Sequence, residues 1–263
     1  MHNLGAIDPG RKIDWGNTTE DYAKYRPGPP PSYFDKLGAL NVGLPHQSML
    51  DLGTGTGVLA REFAKRGAKH VCGTDISDVQ IKMAAELAQK SGQHIRFEAA
   101  PAESQPFGDN EFDVITANQC WLYFDKRKVI PEVKRLLKPG GVLVIGHFSW
   151  LPRSDEVARR SEELILKFNP QWTAADYDGV IPTSYKWAEG HFRLKKMFYY
   201  DEQIPFNIDS WRGRMRACRG VGAALSVDEV NRFDQEHEQL LRSTVGENFT
   251  VLHRIDATIF EPI

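Results

Sequence analysis

The stretch Ser-Met-Leu-Asp-Leu-Gly-Thr-Gly-Thr-Gly occupies residues 48–57 and decides the fold. An apolar run reaches an acid, Asp51, and then opens into three glycines spaced two apart, Gly53, Gly55 and Gly57. A residue without a Cβ lets the backbone turn sharply and approach a ligand closely, and the helix that follows presents free N–H groups to it. The pattern therefore predicts a strand, a nucleotide-binding turn and a helix.

This glycine turn departs from the dinucleotide-binding pattern. That pattern reads G-x-G-x-x-G, whereas Val58 stands where the last glycine is expected and Asp51 precedes the first one. The departure argues against NAD or FAD as the ligand.

Further motifs follow the turn in order along the chain. His70–Asp75 reads as a second strand that ends in an acid, and Phe112–Asn118 reads as a later strand. Ala100–Glu103 lies between them, and Leu136–Ile145, with its Lys-Pro-Gly-Gly turn, follows. Together these five motifs resemble those of the class I S-adenosylmethionine-dependent methyltransferases, in the group of ubiquinone/menaquinone C-methyltransferases and trans-aconitate-type O-methyltransferases.

The resemblance implies an α/β fold, a Rossmann-like doubly wound seven-stranded sheet with the last strand antiparallel and a lid-like insertion after strand five. Downstream, the pattern predicts a helix over 155–168, strands over 194–206 and 249–260, and a capping box at Ser226–Glu229. The expected organisation is a cofactor-covering segment (1–45), a cofactor-binding core (46–150), an aromatic-rich lid that covers the acceptor (151–192) and a C-terminal part that completes the sheet (193–263).

The implied cofactor is S-adenosylmethionine. In the family, the acid at Asp75 accepts hydrogen bonds from the ribose, and the Ala102 and Glu103 positions border the adenine. Tyr22–Pro27 resembles a family element whose arginine, here Arg26, faces the methionyl carboxylate. A surface arm stiffened by prolines is the alternative for that segment. The predicted cofactor-binding residues are Tyr22, Arg26, Asp51, Gly53, Gly55, Gly57, Asp75, Ile76, Ala102, Glu103, Ala117 and Asn118.

Methyl transfer from a sulfonium is a direct displacement, so holding the acceptor matters most and a general base is optional. His147, at the end of strand five, and Tyr123 are the catalytic candidates, with a structural role as the alternative for each. Arg212, Arg216 and Arg219 would share one helical face beside Trp211, which suits an anionic acceptor, although a solvated surface is the usual explanation for such a face. The predicted acceptor-binding residues are Trp121, Trp150, Trp211 and Arg216.

The composition and charge of the chain limit the classes of molecule that we expect it to bind. The chain has 263 residues and a net charge of −2, so it predicts no nucleic-acid surface. No Asn-Pro-Pro-Tyr follows the strand ending at Asn118, which disfavours base or amide methylation. We expect a small-molecule acceptor that is planar or anionic.

Three scattered cysteines and the absence of a long apolar run favour a cytoplasmic protein with no metal and no membrane partner, as a monomer or homodimer. Two other classes stay open, a non-catalytic S-adenosylmethionine-binding regulator and an NAD-dependent oxidoreductase.

Overall fold

The computed structural model describes residue 8 and residues 13–263, apart from the side chain of Trp15. The start of the predicted cofactor-covering segment, residues 1–7 and 9–12, lies outside the described residues. The strands are β1 (Ser48–Leu52), β2 (His70–Asp75), β3 (Arg96–Ala99), β4 (Phe112–Asn118), β5 (Leu137–Trp150), β6 (Phe192–Asn207) and β7 (Asn248–Pro262). They form a seven-stranded sheet in the order β3-β2-β1-β4-β5-β7-β6, which confirms the predicted α/β fold with a Rossmann-like sheet, whereas the lid-like insertion remains a prediction.

Helices alternate with the strands over most of the described chain. They are α1 (Thr19–Tyr25), α2 (Pro31–Ala39), α3 (Val58–Lys65), α4 (Asp78–Lys90), α5 (Lys126–Leu136), α6 (Glu156–Phe168), α7 (Ile208–Arg216) and α8 (Val227–Thr244).

The strands β1 to β5 pair in parallel. Leu50 of β1 lies opposite Cys72 of β2 and Ile115 of β4, and Asn118 of β4 lies opposite Gly146 of β5. Parallel strands need crossover connections, and the helices in those connections cover both faces of the sheet. This arrangement explains why every residue of β1 is buried. It also brings the carboxyl ends of β1, β2 and β4 to one edge.

The last strand runs antiparallel to its neighbour β5. His147 of β5 contacts Asp256 of β7, whereas further along β5 the N–H of Leu151 donates to the carbonyl of Leu252. Residue numbers therefore rise along one strand as they fall along the other. The predicted antiparallel closure of the sheet is confirmed.

The downstream elements agree closely with their predicted bounds. Asp155 is the N-cap of α6 and accepts from the N–H of Ala158 at 2.9 Å. Both halves of the capping box between Ser226 and Glu229 are present at α8. The strands β6 and β7 extend one to two residues beyond the predicted ranges at both ends, because ladder pairing continues past the apolar residues that define the pattern.

The chain divides into two compact units. The first unit comprises the described residues up to Pro27, with Ser149–Val180 and Asp201–Arg254. The second unit comprises Gly28–Phe148, Ile181–Tyr200 and Ile255–Ile263. The four-segment organisation given above remains a prediction.

Each unit has an aromatic core. In the second unit, the Trp187 ring lies 4.8 Å from Trp121 and 4.9 Å from Phe260, so this part of the predicted lid packs into that unit's core. In the first unit, Trp211 is fully buried, with its ring 4.8 Å from Phe206 and 5.7 Å from Trp150.

None of the helices in the described residues is long and apolar enough to cross a membrane. The same residues contain no group of three or more His, Cys, Asp or Glu side chains that could hold a metal ion.

Candidate functional site

The glycine turn after β1 requires glycine. Gly53 and Gly57 have φ angles of 63° and 76°, in the left-handed region that side chains disfavour. A Cβ on Gly53 would lie 2.8 Å from the sulfur of Cys120, and one on Gly57 would lie 2.8 Å from the ring of Phe97. Gly57 is also the N-cap of α3, so the turn leads directly into a helix N-terminus. The backbone shape needed to approach a small ligand is present.

Asp51 is buried beside this turn, and its carboxylate accepts hydrogen bonds from two hydroxyl groups. Thr54 donates to one carboxylate oxygen at 2.7 Å, and Thr116 of β4 donates to the other at 2.6 Å. Burial raises the pKa of Asp51 to about 6, while the two hydroxyl hydrogen bonds oppose this rise. A cation placed beside Asp51 would favour its ionised form.

Asp75 links the end of β2 to the same turn. One of its carboxylate oxygens accepts from the N–H of Gly55 at 2.9 Å, and the other accepts from the N–H of Ser77 at 3.0 Å. Burial raises the pKa of Asp75, and the backbone hydrogen bonds oppose the rise. A carboxylate oxygen can accept more than one hydrogen bond, so both oxygens retain capacity for ligand hydroxyls. The next residue, Ile76, is exposed.

Ala102 and Glu103, which were predicted to border the adenine, also lie in the second unit. Ala102 is buried in its apolar core. Glu103 accepts from the N–H of Asp125 at 2.7 Å, just before α5. The ammonium of Lys126 donates to the carbonyl of Phe124 at 2.8 Å and lies 5.1 Å from the ring centre of Trp121. Glu103 thus contributes to the start of α5, and its predicted contact with adenine remains a prediction.

The carboxyl end of β4 carries a polar cluster. Asn118 accepts from the hydroxyl of Tyr33 at 3.3 Å, and Gly146 lies opposite it on β5. A Cβ on Gly146 would lie 2.1 Å from Asn118 Oδ1 and 2.4 Å from the Tyr33 hydroxyl. The neighbouring Ala117 is fully buried. Only glycine at position 146 allows these two side chains to meet.

His147 lies next to that cluster and has an acidic partner. Its Nδ1 is 3.2 Å from Oδ2 of Asp256 on β7, and the imidazole is 44% exposed while Asp256 is 5% exposed. A buried carboxylate beside Nδ1 favours the tautomer that carries its proton on Nδ1. The arrangement leaves Nε2 as the basic nitrogen.

The other predicted aromatic residues of the second unit lie after β4. Trp121 and Tyr123 form a short 3₁₀ helix. Trp121 is buried against Trp187 and Phe124, whereas Tyr123 is partly exposed. Their predicted roles with the acceptor remain predictions.

The remaining residues that were predicted to bind the cofactor or the acceptor belong to the first unit. The guanidinium of Arg26 lies 4.5 Å from the ring centre of Tyr22. The indole N–H of Trp150 donates to Glu162 at 2.6 Å, and that of Trp211 donates to Ser161 at 2.9 Å. Both tryptophans therefore serve the packing of this unit.

The three arginines expected on one helical face have carboxylate partners instead. Arg216 pairs with Asp21 at 2.8 Å and with Asp234 at 2.6 Å, and Arg212 also pairs with Asp234. Arg219 pairs with Asp8 at 2.6 Å. The expectation of a single face of three arginines is wrong, because α7 ends at Arg216 and Arg219 lies beyond it.

Sequence reasoning missed Thr54, Thr116, Tyr33 and Asp256. Asp256 left a signal, because it interrupts the apolar run Ile255–Phe260, where a buried acid needs a polar partner.

The chain has known relatives in sequence. Residues 50–145 match the family described as methyltransferase domain. The uncharacterized methyltransferase YcgJ of Bacillus subtilis strain 168 is 31% identical over 169 residues, which are 62% of this chain and 63% of that protein. The ubiquinone/menaquinone biosynthesis C-methyltransferase UbiE of Vibrio cholerae is 39% identical over 110 residues, 40% of this chain and 42% of that protein. The chain thus spans less than two thirds of the length of either relative.

A solved structure shows the same fold. The crystal structure of BH2331 from Bacillus halodurans C-125 matches 87% of this chain and 98% of that one, with a TM-score of 0.54 and 19% sequence identity. At this identity, the likeness concerns the fold alone.

Proposed function

We propose that the chain is a class I S-adenosylmethionine-dependent methyltransferase, as the match of residues 50–145 to the methyltransferase domain family supports, and that it methylates a small-molecule acceptor. The observation that carries the proposal is the pair of carboxylates, the buried Asp51 and the partly buried Asp75, that flank a turn shaped by Gly53 and Gly57. S-adenosylmethionine is a cation with a ribose and is the cofactor of this family. The site is negatively charged, and its carboxylate oxygens can accept further hydrogen bonds. It therefore suits S-adenosylmethionine better than the phosphates of a dinucleotide.

We assign the cofactor site to residues whose contacts fit that ligand. The missing Cβ atoms of Gly53 and Gly57 let the turn pack against Cys120 and Phe97, and Asp75 has the capacity to accept from both ribose hydroxyls. The ionised form of Asp51 would favour the cationic end of the ligand. The bound cofactor supplies an electrophilic methyl group, and the residues around it hold the acceptor in line and exclude water.

His147 is our candidate for the general base. The carboxylate of Asp256 beside Nδ1 orients the ring and stabilises the imidazolium that forms when Nε2 takes the acceptor's proton. Nε2 would take the proton that the acceptor loses, while the bound cofactor would supply the methyl group and keep the electron pair of the broken carbon–sulfur bond on its sulfur. Asp256 acts through His147 and is a positioning residue.

We further propose a cytoplasmic monomer or homodimer whose partner is a small molecule and no nucleic acid. The three free thiols and the net charge of −2 support this. A binding-only regulator is the main alternative, and it would bind the cofactor without releasing S-adenosylhomocysteine in any acceptor screen.

Calorimetry is expected to show that the full chain binds S-adenosylmethionine with a Kd of about 10 μM or lower and binds NAD at least roughly a hundredfold more weakly. The physical reason is the charge of the site, in which Asp51 and Asp75 attract a sulfonium and repel a pyrophosphate. Tight NAD binding without heat from S-adenosylmethionine would reject the proposed function.

Replacing Asp75 with alanine is expected to weaken the binding of S-adenosylhomocysteine by about 1.5–3 kcal/mol, roughly 10- to 150-fold, because hydrogen bonds to a charged group are lost. The variant Asp75→Asn keeps one oxygen acceptor and should lose less. The control is Glu98→Ala on β3, an acid that is 42% exposed and pairs with Arg96. An unchanged Kd in folded Asp75→Ala would place the ribose elsewhere.

A further inference from the structure

Asp51, beside the glycine turn, is a buried acid that pairs with no basic side chain. It is 4% exposed, and its carboxylate accepts from the hydroxyls of Thr54 and Thr116. Among the residues that the structure describes, no Lys, Arg or His forms an ion pair with Asp51, and the charge of a second acid, Asp75, acts on it instead. Proteins normally offset a buried charge with an opposite one. An ionised Asp51 therefore lacks its usual partner.

The groups that face Asp51 from the neighbouring elements are acidic or neutral. Asp75 lies at the end of β2, and Thr116 faces Asp51 from β4. Tyr33 belongs to α2, and Cys120 follows β4. Burial, followed by nearby acids that include Asp51, raises the pKa of both Tyr33 and Cys120, so both stay neutral. None of these four groups can neutralise an ionised Asp51, and all of them belong to the second unit.

Asp113 of β4 shows which partners an ionised acid has elsewhere in this unit. The ammonium of Lys138 and the N–H of Ser48 donate to its carboxylate at 2.7 and 2.8 Å. Burial alone would raise the pKa of Asp113, but these two hydrogen bonds and the charge of Lys138 lower it. Burial instead raises the pKa of Asp51 to about 6. The protein supplies a cation to Asp113, whereas a ligand has to supply one to Asp51.

We propose that Asp51 releases a proton when S-adenosylmethionine binds, so that capture of this cofactor depends on pH. The proposal rests on the proposed function and adds a regulation of the same site. S-adenosylmethionine carries a sulfonium, an ammonium and one carboxylate, and its net positive charge favours the ionised acid. The cation need not touch Asp51, because charges interact over several ångströms where water is excluded. The O–H bond of Asp51 breaks, its electron pair stays on the carboxylate oxygen, and the proton goes to the buffer.

The direction of the pH effect follows from this step. Below a pH of about 6 the free protein keeps the proton on Asp51, and binding has to remove it, so the affinity falls. Above that pH the acid is already ionised, and binding releases almost no proton. The affinity for S-adenosylmethionine should therefore be about tenfold weaker at a pH of about 5 than at a pH of about 7.

The test counts protons with a matched pair of ligands. The compound 5′-methylthioadenosine contains the nucleoside and a thioether, but it has neither the sulfonium nor the amino-acid group. The full chain is titrated with each ligand at a pH of about 6, in two buffers that differ in ionisation enthalpy. We expect S-adenosylmethionine to release roughly half a proton more than 5′-methylthioadenosine. Both ligands carry the ribose, so any titration of Asp75 cancels in this difference.

Two variants assign the proton to its residue. Asp51→Asn keeps the shape of the side chain without its charge, so the difference between the ligands and the tenfold pH effect should both disappear. Without ligand, this variant should melt at or above the wild-type Tm at neutral pH, because an unpaired buried charge is removed. The control Asp113→Asn loses an ion pair with Lys138, so it should melt below the wild type and keep the proton release.

The outcomes separate this proposal from the proposed function. Equal proton release with both ligands overturns the proposal even if both bind, and the wild type alone gives that result if Asp51→Asn does not fold. A difference that persists in folded Asp51→Asn assigns the proton to another group and also overturns it. A wild type that binds neither ligand at any of these pH values contradicts the proposed function itself.

Discussion

Replacing His147 with alanine is expected to lower kcat by about 10²–10⁴-fold at neutral pH, the usual contribution of a positioned general base. The affinity for S-adenosylhomocysteine should stay unchanged, because the imidazole acts on the acceptor's proton and not on the cofactor. The measurement is steady-state kinetics with an acceptor found by screening planar and anionic small molecules for S-adenosylhomocysteine release. A kcat within about threefold of the wild type would show that the acceptor loses its proton by another route.

The conservative variant of Asp256 tests how His147 is positioned. Asp256→Asn removes the carboxylate that orients the ring and should lower kcat with little change in KM. The control is His70→Ala, an exposed histidine at the start of β2, which should keep kcat.

Gly146→Ala is expected to destabilise the protein by about 1–3 kcal/mol, the usual cost of an overpacked core, which lowers the Tm by roughly 2–12 °C. The added methyl group would meet Asn118 Oδ1 at 2.1 Å and the Tyr33 hydroxyl at 2.4 Å. Tyr33 is only 1% exposed and has little space into which it can withdraw. Thermal and urea unfolding measure the change.

A matched alanine and a double variant test the cause. Gly38→Ala lies in α2, where an added Cβ meets nothing within 4 Å, and it should stabilise the protein by about 0.5–1 kcal/mol. Asn118→Ala combined with Gly146→Ala should cost less than the sum of the single variants, because the closest clash is removed. Additive costs would show that the strain lies elsewhere in β5.

Local sequence patterns predicted the cofactor half of the fold. The glycine turn, the acid ending β2 and the apolar strand runs act within a few residues, so their spacing alone indicates the structure. The bounds of β2 and β4 agree with the predicted strands for the same reason.

Local sequence patterns could not predict contacts between residues that are far apart in the chain. Thr116 donates to Asp51 across 65 positions, and Tyr33 donates to Asn118 across 85. The periodicity of apolar residues does not indicate which strands become neighbours in the sheet. The single face of Arg212, Arg216 and Arg219 was wrong because their spacing assumed a helix that continues to Arg219, whereas α7 ends at Arg216.

The position of β7 between β5 and β6 has a consequence for synthesis on the ribosome. His147 and Asp256 are 109 positions apart, so the pair cannot form while translation is still proceeding through the helices that precede β7. During that interval the glycine turn and the carboxylates of β1 and β2 have already emerged, whereas β5 still lacks its antiparallel partner. An unpaired strand of this length can join other chains, so the nascent protein is most prone to misassembly at this stage.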